Sequence, residues 1–345
     1  MRGTASRSGA GRVGEQGSWR RPWQGQGSWR GRGRVLAGLA VLVACLLVFH
    51  GAVPDTAGRP GSLLETFLPW LGLAVPVLLA LALLRRSAVA ACAALLPAAA
   101  WLGLFGAFLL PGDDRAPDLL AVQHNVSDEN PDPAGTARAL AGTRADLIAL
   151  EELTPAAAPA FEAALAPEYP YHAVEGTVGL WSRHPLAHVR PVDIRPTGVG
   201  EGWNRGLRAT ARTPNGEVAV YVAHLPSVRL GPAHGFGSAR RDESAALLGA
   251  ALAAERTDPL ILLGDLNSTV DDRGLDPVAA QMDPPSRDFA FSWPATLPVA
   301  RIDQVMTRTA TVTRVRALPA TGSDHLPVAA HIRWHGSGRH SDPRQ

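Results

Sequence analysis

Three apolar stretches in the first third of the chain restrict its architecture more than any other feature. Val35 to Phe49, Phe67 to Leu84 and Ser87 to Leu110 contain no charged residue. A helix that crosses a bilayer needs about 20 mostly apolar residues, which the second and third stretches supply and the first reaches by continuing to Val53. Pro69, Pro76 and Pro97 would interrupt helices in water, but within a membrane neighbouring helices can satisfy the freed backbone groups. Buried helices of a soluble domain would show a polar face, and these stretches have none. The sequence therefore predicts a three-span anchor over residues 35–110.

Arginine placement sets the expected orientation. The first 34 residues hold eight arginines and one acid, and Arg85 and Arg86 separate the second and third stretches, whereas Pro54 to Ser62 holds only Asp55 and Arg59. Positive loops stay cytoplasmic, so everything after Leu110 is expected outside the cytoplasmic membrane. A cleaved first segment would leave that placement unchanged. Residues 1–34 are rich in Gly, Ser and Gln and repeat Gln16-Gly17-Ser18-Trp19-Arg20 as Gln26-Gly27-Ser28-Trp29-Arg30. Such a composition builds no core, and a disordered basic tail is expected there. Cys45 and Cys92 both fall in the expected spans, leaving an exterior part without disulfides, which a domain of that size does not need.

Residues 111–117 form a short stiff linker, residues 118–334 a globular domain, and residues 335–345 a polar tail expected to be disordered. Within the domain, strands are expected near 118–124, 146–150, 177–182, 206–212, 217–224, 302–307, 312–317 and 327–333, with another ending at Gly264. Helices are expected near 133–143, 155–166 and 239–256. Many strands with a few interposed helices fit an α/β fold of two mixed sheets packed face to face with helices outside.

The strand ends carry the chemistry. Ile261-Leu262-Leu263-Gly264-Asp265-Leu266-Asn267 reads as a buried strand that leaves through a glycine into a carboxylate and a carboxamide two residues apart. Strand alternation points such a pair the same way. Asp146 to Glu152 ends a strand in two acids, Ala121 to Asn125 ends one in an amide, and Tyr221 to Leu225 passes through His224. Arg301-Ile302-Asp303 buries an acid, and Ser323-Asp324-His325-Leu326-Pro327 sets an acid beside an imidazole before the last strand. A hard divalent ion such as Mg²⁺ prefers carboxylate oxygens. Alternation makes Glu152 its first ligand and turns Glu151 away.

In that order these motifs resemble the endonuclease/exonuclease/phosphatase superfamily, a four-layer α/β sandwich, over roughly residues 118 to 333. The resemblance implies that Asp265 orients or deprotonates the attacking water and that Asn267 holds the water or a phosphoryl oxygen. It implies that His325 contacts the phosphate, held protonated by Asp303, and that His224 lies near the leaving group. It places Glu152, Asn125 and Asp324 at Mg²⁺ (or Mn²⁺), and Arg183, in Ser182-Arg183-His184-Pro185, at substrate phosphate, although a turn that merely ends a strand explains that motif equally well. Where family motifs usually have Gln-Glu, this chain has Glu151-Glu152.

Three spans followed by such a domain resemble the actinobacterial VanJ-type proteins associated with glycopeptide resistance. That resemblance implies a membrane-anchored, extracytoplasmic phosphoesterase acting on a lipid-linked phosphate such as undecaprenyl pyrophosphate. Two other functions fit the motifs, a membrane-tethered nuclease and a non-catalytic membrane binding module. From residue 113 onward the chain has 22 arginines against 28 acids, a net of −6, and a groove that tracks nucleic acid usually shows a basic stripe instead.

Overall fold

The computed structural model describes residues 27–110, 115–231 and 235–335, with side chains described from Gly33 onward. The basic tail up to residue 26, residues 111–114 of the linker, residues 232–234 and the tail beyond His335 lie outside the described residues.

The apolar region folds into α1 (Gly27–Val48), a short α2 (Pro60–Thr66), α3 (Ala74–Leu84) and α4 (Ala88–Phe105). Three uninterrupted spans are not what forms. Ala88–Leu109, 22 residues with a mean hydropathy of 2.0, is the one described helix long and apolar enough to cross a membrane. The Pro60–Thr66 and Leu68–Leu84 helices qualify only as a pair, bent by 71°, and Gly33–Val48 is a shorter apolar helix. The bend has a local cause: Pro69 lacks an N–H and enters a 3₁₀ turn, Leu68–Leu73, rather than a continuous α-helix. Conversely, α1 begins at Gly27, inside the segment expected to be disordered.

α1, α3 and α4 meet through small residues, with Ala40, Ala82, Ala90 and Ala94 buried beside Leu36 and Leu78. Their other faces expose Leu39, Leu42, Leu83, Leu84, Leu95, Leu96 and Leu102.

The globular part runs through β1 (Leu119–Asn125), α5 (Pro133–Ala141), β2 (Leu147–Glu151), α6 (Ala158–Leu165), β3 (Tyr171–Glu175), β4 (Val178–Ser182) and β5 (Leu186–Pro191). It continues with β6 (Gly206–Thr213), β7 (Gly216–Ala223), β8 (Arg229–Gly231), β9 (Gly235–Gly237), α7 (Ala239–Ala254) and β10 (Leu260–Asp265). It closes with α8 (Asp276–Ala279), β11 (Asp303–Arg308), β12 (Ala310–Ala317) and β13 (Val328–Trp334). One sheet has the order β12-β13-β1-β2-β4-β3 and the other β11-β10-β7-β6-β5, with β8 and β9 a separate hairpin.

Four layers follow from side-chain alternation. Ile261 and Leu263 enter the core between the sheets with Leu147, Ala149, Val220 and Val222. Leu260 and Leu262 turn to the opposite face and pack with Leu248 and Leu252 of α7. Ile148 and Leu150 do the same on the other sheet, against Leu140 of α5 and Phe161 of α6. A strand covered on both faces is apolar along most of its length, and a polar residue in it needs a buried partner.

This topology collects the site. β1 and β2 are parallel, as are β7 and β10, so their C-terminal ends share one rim. The antiparallel partners β11 and β13 start at that rim: Asp303 pairs with Asp265, and Val328 with Gln123. Gly264 is required where β10 leaves the sheet, because a Cβ there would collide with the Ala223 carbonyl oxygen.

The segment joining α1 to α3 is built into the domain. Ser62 Oγ donates to both oxygens of Asp272 at 2.7 and 2.8 Å, and Arg241 Nη1 pairs with Asp272 at 2.7 Å. Glu65 accepts from Arg273 Nε at 2.8 Å and Nη2 at 2.7 Å, and Arg273 also donates to the carbonyls of His50 and Val53. Arg59 is ion-paired with Asp242. Trp70 Nε1 donates to the Val299 carbonyl at 2.7 Å, and its ring stacks on Phe291 at 5.4 Å.

Candidate active site

Asp265 is the hub of the rim. Its carboxylate is buried and accepts from Asn125 Nδ2 at 3.0 Å, from Asn267 Nδ2 at 3.2 Å and from the Asn267 backbone N–H at 2.9 Å. Asp265 and Asn267 therefore meet, but through a side-chain turn with Asn267 at φ +47, not by strand alternation. His224 Nε2 lies 3.5 Å from Asp265 Oδ2 and 3.8 Å from Glu152. His325 Nε2 lies 3.8 Å from the same oxygen.

His325 Nδ1 is 2.9 Å from Asp303 Oδ2. Asp303 is held in turn by Ser292 Oγ at 2.5 Å and Gln123 Nε2 at 3.0 Å. Burial pulls the imidazole's pKa down, but the carboxylates of Asp303 and Asp265 outweigh it and hold it up at about 10. Asp303, despite burial, stays below the usual carboxylate range because the His325 cation and these hydrogen bonds stabilise its charge. Burial raises Asp265 to about 7 against the pull of His325. His224 is pushed the other way, well below its ordinary value, by burial and by the Arg205 guanidinium, whose Nη1 sits 3.2 and 3.3 Å from the two ring nitrogens. One rim thus holds a charged imidazole and a neutral one on either side of one carboxylate.

A cleft of about 240 Å³ opens onto this array, with Glu152, Asp265, Asn267, Asp324 and His325 among its lining residues. Glu152 has φ +57, which breaks the alternation expected after β2 and swings its carboxylate into the cleft. Glu151 does not leave the site either: it is buried at the floor, accepts from Gln123 Nε2 at 2.7 Å, and burial raises its pKa well above normal.

Asp265, Asp303 and His325 also place ligand atoms within 4.8 Å of one another. The 2.9 Å bond between a charged imidazole and Asp303 makes that trio a hydrogen-bonded array rather than a metal cage. Glu152 and Asp324 line the cleft beside Asp265 and offer carboxylate oxygens of the kind a hard divalent ion takes as ligands. Asn125 lies behind Asp265, its side-chain Oδ1 accepting from the Ser127 backbone N–H at 3.0 Å.

The structure removes Arg183 from this site. β4 runs antiparallel to β2 with Ser182 opposite Leu147, so Arg183 sits at the far end of the sheet. There it donates to Glu168 at 2.6 Å and lies over the Tyr169 ring.

Several residues at the site carried no motif. Arg205, Gln123 and Ser292 act on Asp303 or His224, and only the polar residues in otherwise apolar strand stretches hinted at Gln123. Thr66, Phe67, Leu230, Phe236 and Trp293 line the cleft, two of them from the segment between the apolar helices.

Among known families, the endonuclease/exonuclease/phosphatase family matches residues 122–325. Comparison with curated protein sequences gave no significant match. Among solved structures, beta toxin 275-280 from Staphylococcus aureus superposes with a TM-score of 0.50 at 16% identity, covering 62% of this chain and 99% of that one. A mannosyl-6-phosphatase of Bacteroides thetaiotaomicron gives 0.51 at 16% identity, covering 63% and 100%. At such identity these likenesses concern the fold.

Proposed function

The chain belongs to the endonuclease/exonuclease/phosphatase family, whose members are metal-dependent phosphoesterases, and we propose that it hydrolyses a phosphate ester or pyrophosphate carried by a membrane lipid. The observation that carries the chemistry is the pair of histidines flanking Asp265, with His224 Nε2 at 3.5 Å and His325 Nε2 at 3.8 Å from its Oδ2, the first pushed toward its neutral form and the second toward its cation. Asp265, raised toward neutrality, takes the proton of the attacking water, which Asn267 helps to hold. The water oxygen bonds to phosphorus as the bond to the leaving oxygen breaks. His325, kept cationic by Asp303, meets the charge that develops on the phosphoryl oxygens. Neutral His224, with Arg205 against its ring, stands on the other side of Asp265, toward the leaving group. Glu152 and Asp324 would hold Mg²⁺ or Mn²⁺, which would supply Lewis-acid polarisation of the phosphoryl group, while Asn125 serves from behind by its hydrogen bond to Asp265.

The placement in a membrane is part of the proposal. It is supported by the exposed leucines of α1, α3 and α4, by the length of Ala88–Leu109, and by the arginines that precede α1 and follow α3. With that arrangement the domain is extracytoplasmic and the chain is of the VanJ type. Undecaprenyl pyrophosphate is then the proposed substrate, and glycopeptide resistance the proposed consequence. The net charge of −6 opposes the nuclease alternative.

The test is to offer detergent-purified full-length protein undecaprenyl pyrophosphate, phosphoinositide, sphingomyelin and plasmid DNA in parallel. Phosphate release from the pyrophosphate is expected, abolished by EDTA and restored by Mg²⁺ or Mn²⁺. Plasmid degradation in place of phosphate release would establish the nuclease, and inertness toward all four the non-catalytic module.

A further inference from the structure

Beside the catalytic cleft lies an apolar groove of about 470 Å³, formed where α3 and α4 meet the globular domain. Its walls include Trp70, Val75, Ala98, Trp101, Leu102 and Phe291, and no charged side chain lines it. The only polar atoms of its two tryptophans are already committed: Trp70 Nε1 to the Val299 carbonyl and Trp101 Nε1 to the Pro69 carbonyl, both at 2.7 Å. What remains on offer is hydrocarbon.

The groove and the cleft share their partition. Residues 66–70 give Thr66 and Phe67 to the cleft and Pro69 and Trp70 to the groove. Residues 289–293 give Trp293 to the cleft and Phe289 and Phe291 to the groove. A small cavity of about 30 Å³ lies between, bordered by Thr66 from the cleft side and by Pro69, Phe289 and Phe291 from the groove side. One side of the partition therefore presents a cationic imidazole and open carboxylates, the other a bare apolar surface between helices whose outer faces are exposed leucine. A volume of this size is that of a ligand site rather than a packing defect. A protein partner would bring a polar rim that the groove does not match.

We infer that this groove binds the hydrocarbon chain of the substrate lipid, whose phosphate occupies the adjoining cleft, an assignment that rests on the phosphoesterase reading and extends it to the chain. The groove opens among the helices proposed to lie in the bilayer, so the chain reaches it laterally. The cleft then sees a phosphate already tethered at the correct distance.

Full-length protein in phosphatidylcholine nanodiscs tests this with two diphosphates that share a head group, farnesyl and isopentenyl. kcat/KM for the farnesyl compound should exceed that for the isopentenyl compound by about tenfold or more, since each buried methylene contributes to binding. Ala98→Phe and Val75→Phe, at partly exposed groove positions, should each abolish that ratio by raising KM for the farnesyl compound alone. Independently of turnover, a diazirine-bearing dodecyl phosphate should label groove peptides of α3 and α4, with excess dodecyl phosphate suppressing the label and butyl phosphate leaving it. Equal specificity constants together with a label that dodecyl phosphate does not displace would mean ordinary bilayer lipid fills the groove, and the inference falls. Cross-linking of two copies through the groove would overturn it equally. Competed labelling without hydrolysis of either diphosphate would instead support the groove and remove the phosphoesterase reading.

Discussion

At the scale of single residues, the site is a set of protons held in unusual places. Asp265 must be anionic to accept a proton, so activity should fall as pH drops through about 7. His325 must be cationic, so activity should fall as pH rises through about 10. A pH profile of kcat/KM between these limits is the expected result. Asp303→Asn removes a carboxylate that holds His325 charged, and should bring the alkaline limb down toward the ordinary imidazole range near ~6.5. Asp265→Asn should lower kcat by about 10²–10⁴ at every pH, the scale of a lost acid–base partner. An alkaline limb that stays in place in Asp303→Asn would show that the 2.9 Å contact does not set the charge of His325. The principal residues here were legible because each ends or begins a strand with a polar group where apolar residues otherwise run. Arg205 was not, since it sits in a loop and acquires meaning only against the buried ring of His224. Arg183 misled for a related reason: a Ser-Arg turn at a strand end says nothing of which end of the sheet it occupies, and the antiparallel pairing of β4 puts it at the wrong one.

At the scale of elements, strands buried on both faces were readable from their unbroken apolar runs, while β3 and β5 were not. Both are edge strands with largely exposed residues, so neither an apolar run nor a clean alternation marks them. α2 was hidden more completely. Its segment looks like a short polar loop, and the partners that bury Ser62 and Glu65 lie about two hundred residues away at Asp272 and Arg273. The chain of contacts continues from Asp272 to Arg241, whose Nη1 also donates to the Asn267 carbonyl at 3.1 Å. Asp272→Ala would remove one of the two carboxylates that meet the buried Arg241 guanidinium, leaving Asp242 on Nε at 2.7 Å, and would take the acceptor from Ser62 Oγ and the Gly274 N–H. A loss of about 1–3 kcal/mol is expected in thermal or denaturant unfolding, with a lower kcat as Asn267 loses its support. Unchanged stability would show that the guanidinium finds water or another acceptor.

At the scale of the whole molecule, many strands with a few interposed helices anticipated a two-sheet domain, and two sheets flanked by helices are what forms. The helical part was less legible, because hydropathy counts apolar residues without regard to where Pro69 bends the path. The proposed orientation predicts that a reporter fused after Gln345 is active outside the cytoplasmic membrane and silent within; the opposite pattern would invert the molecule. The anchoring of α2 into the domain then has a consequence for how substrate is counted. In the proposed placement, with the bilayer around α3 and α4, the ion pairs of Glu65 and Arg59 would fix the cleft at one height above it, so that it would not sweep the surrounding solution. Encounter would then be a two-dimensional search, in which the relevant abundance is the number of target lipids per unit area of membrane and the volume of the medium drops out.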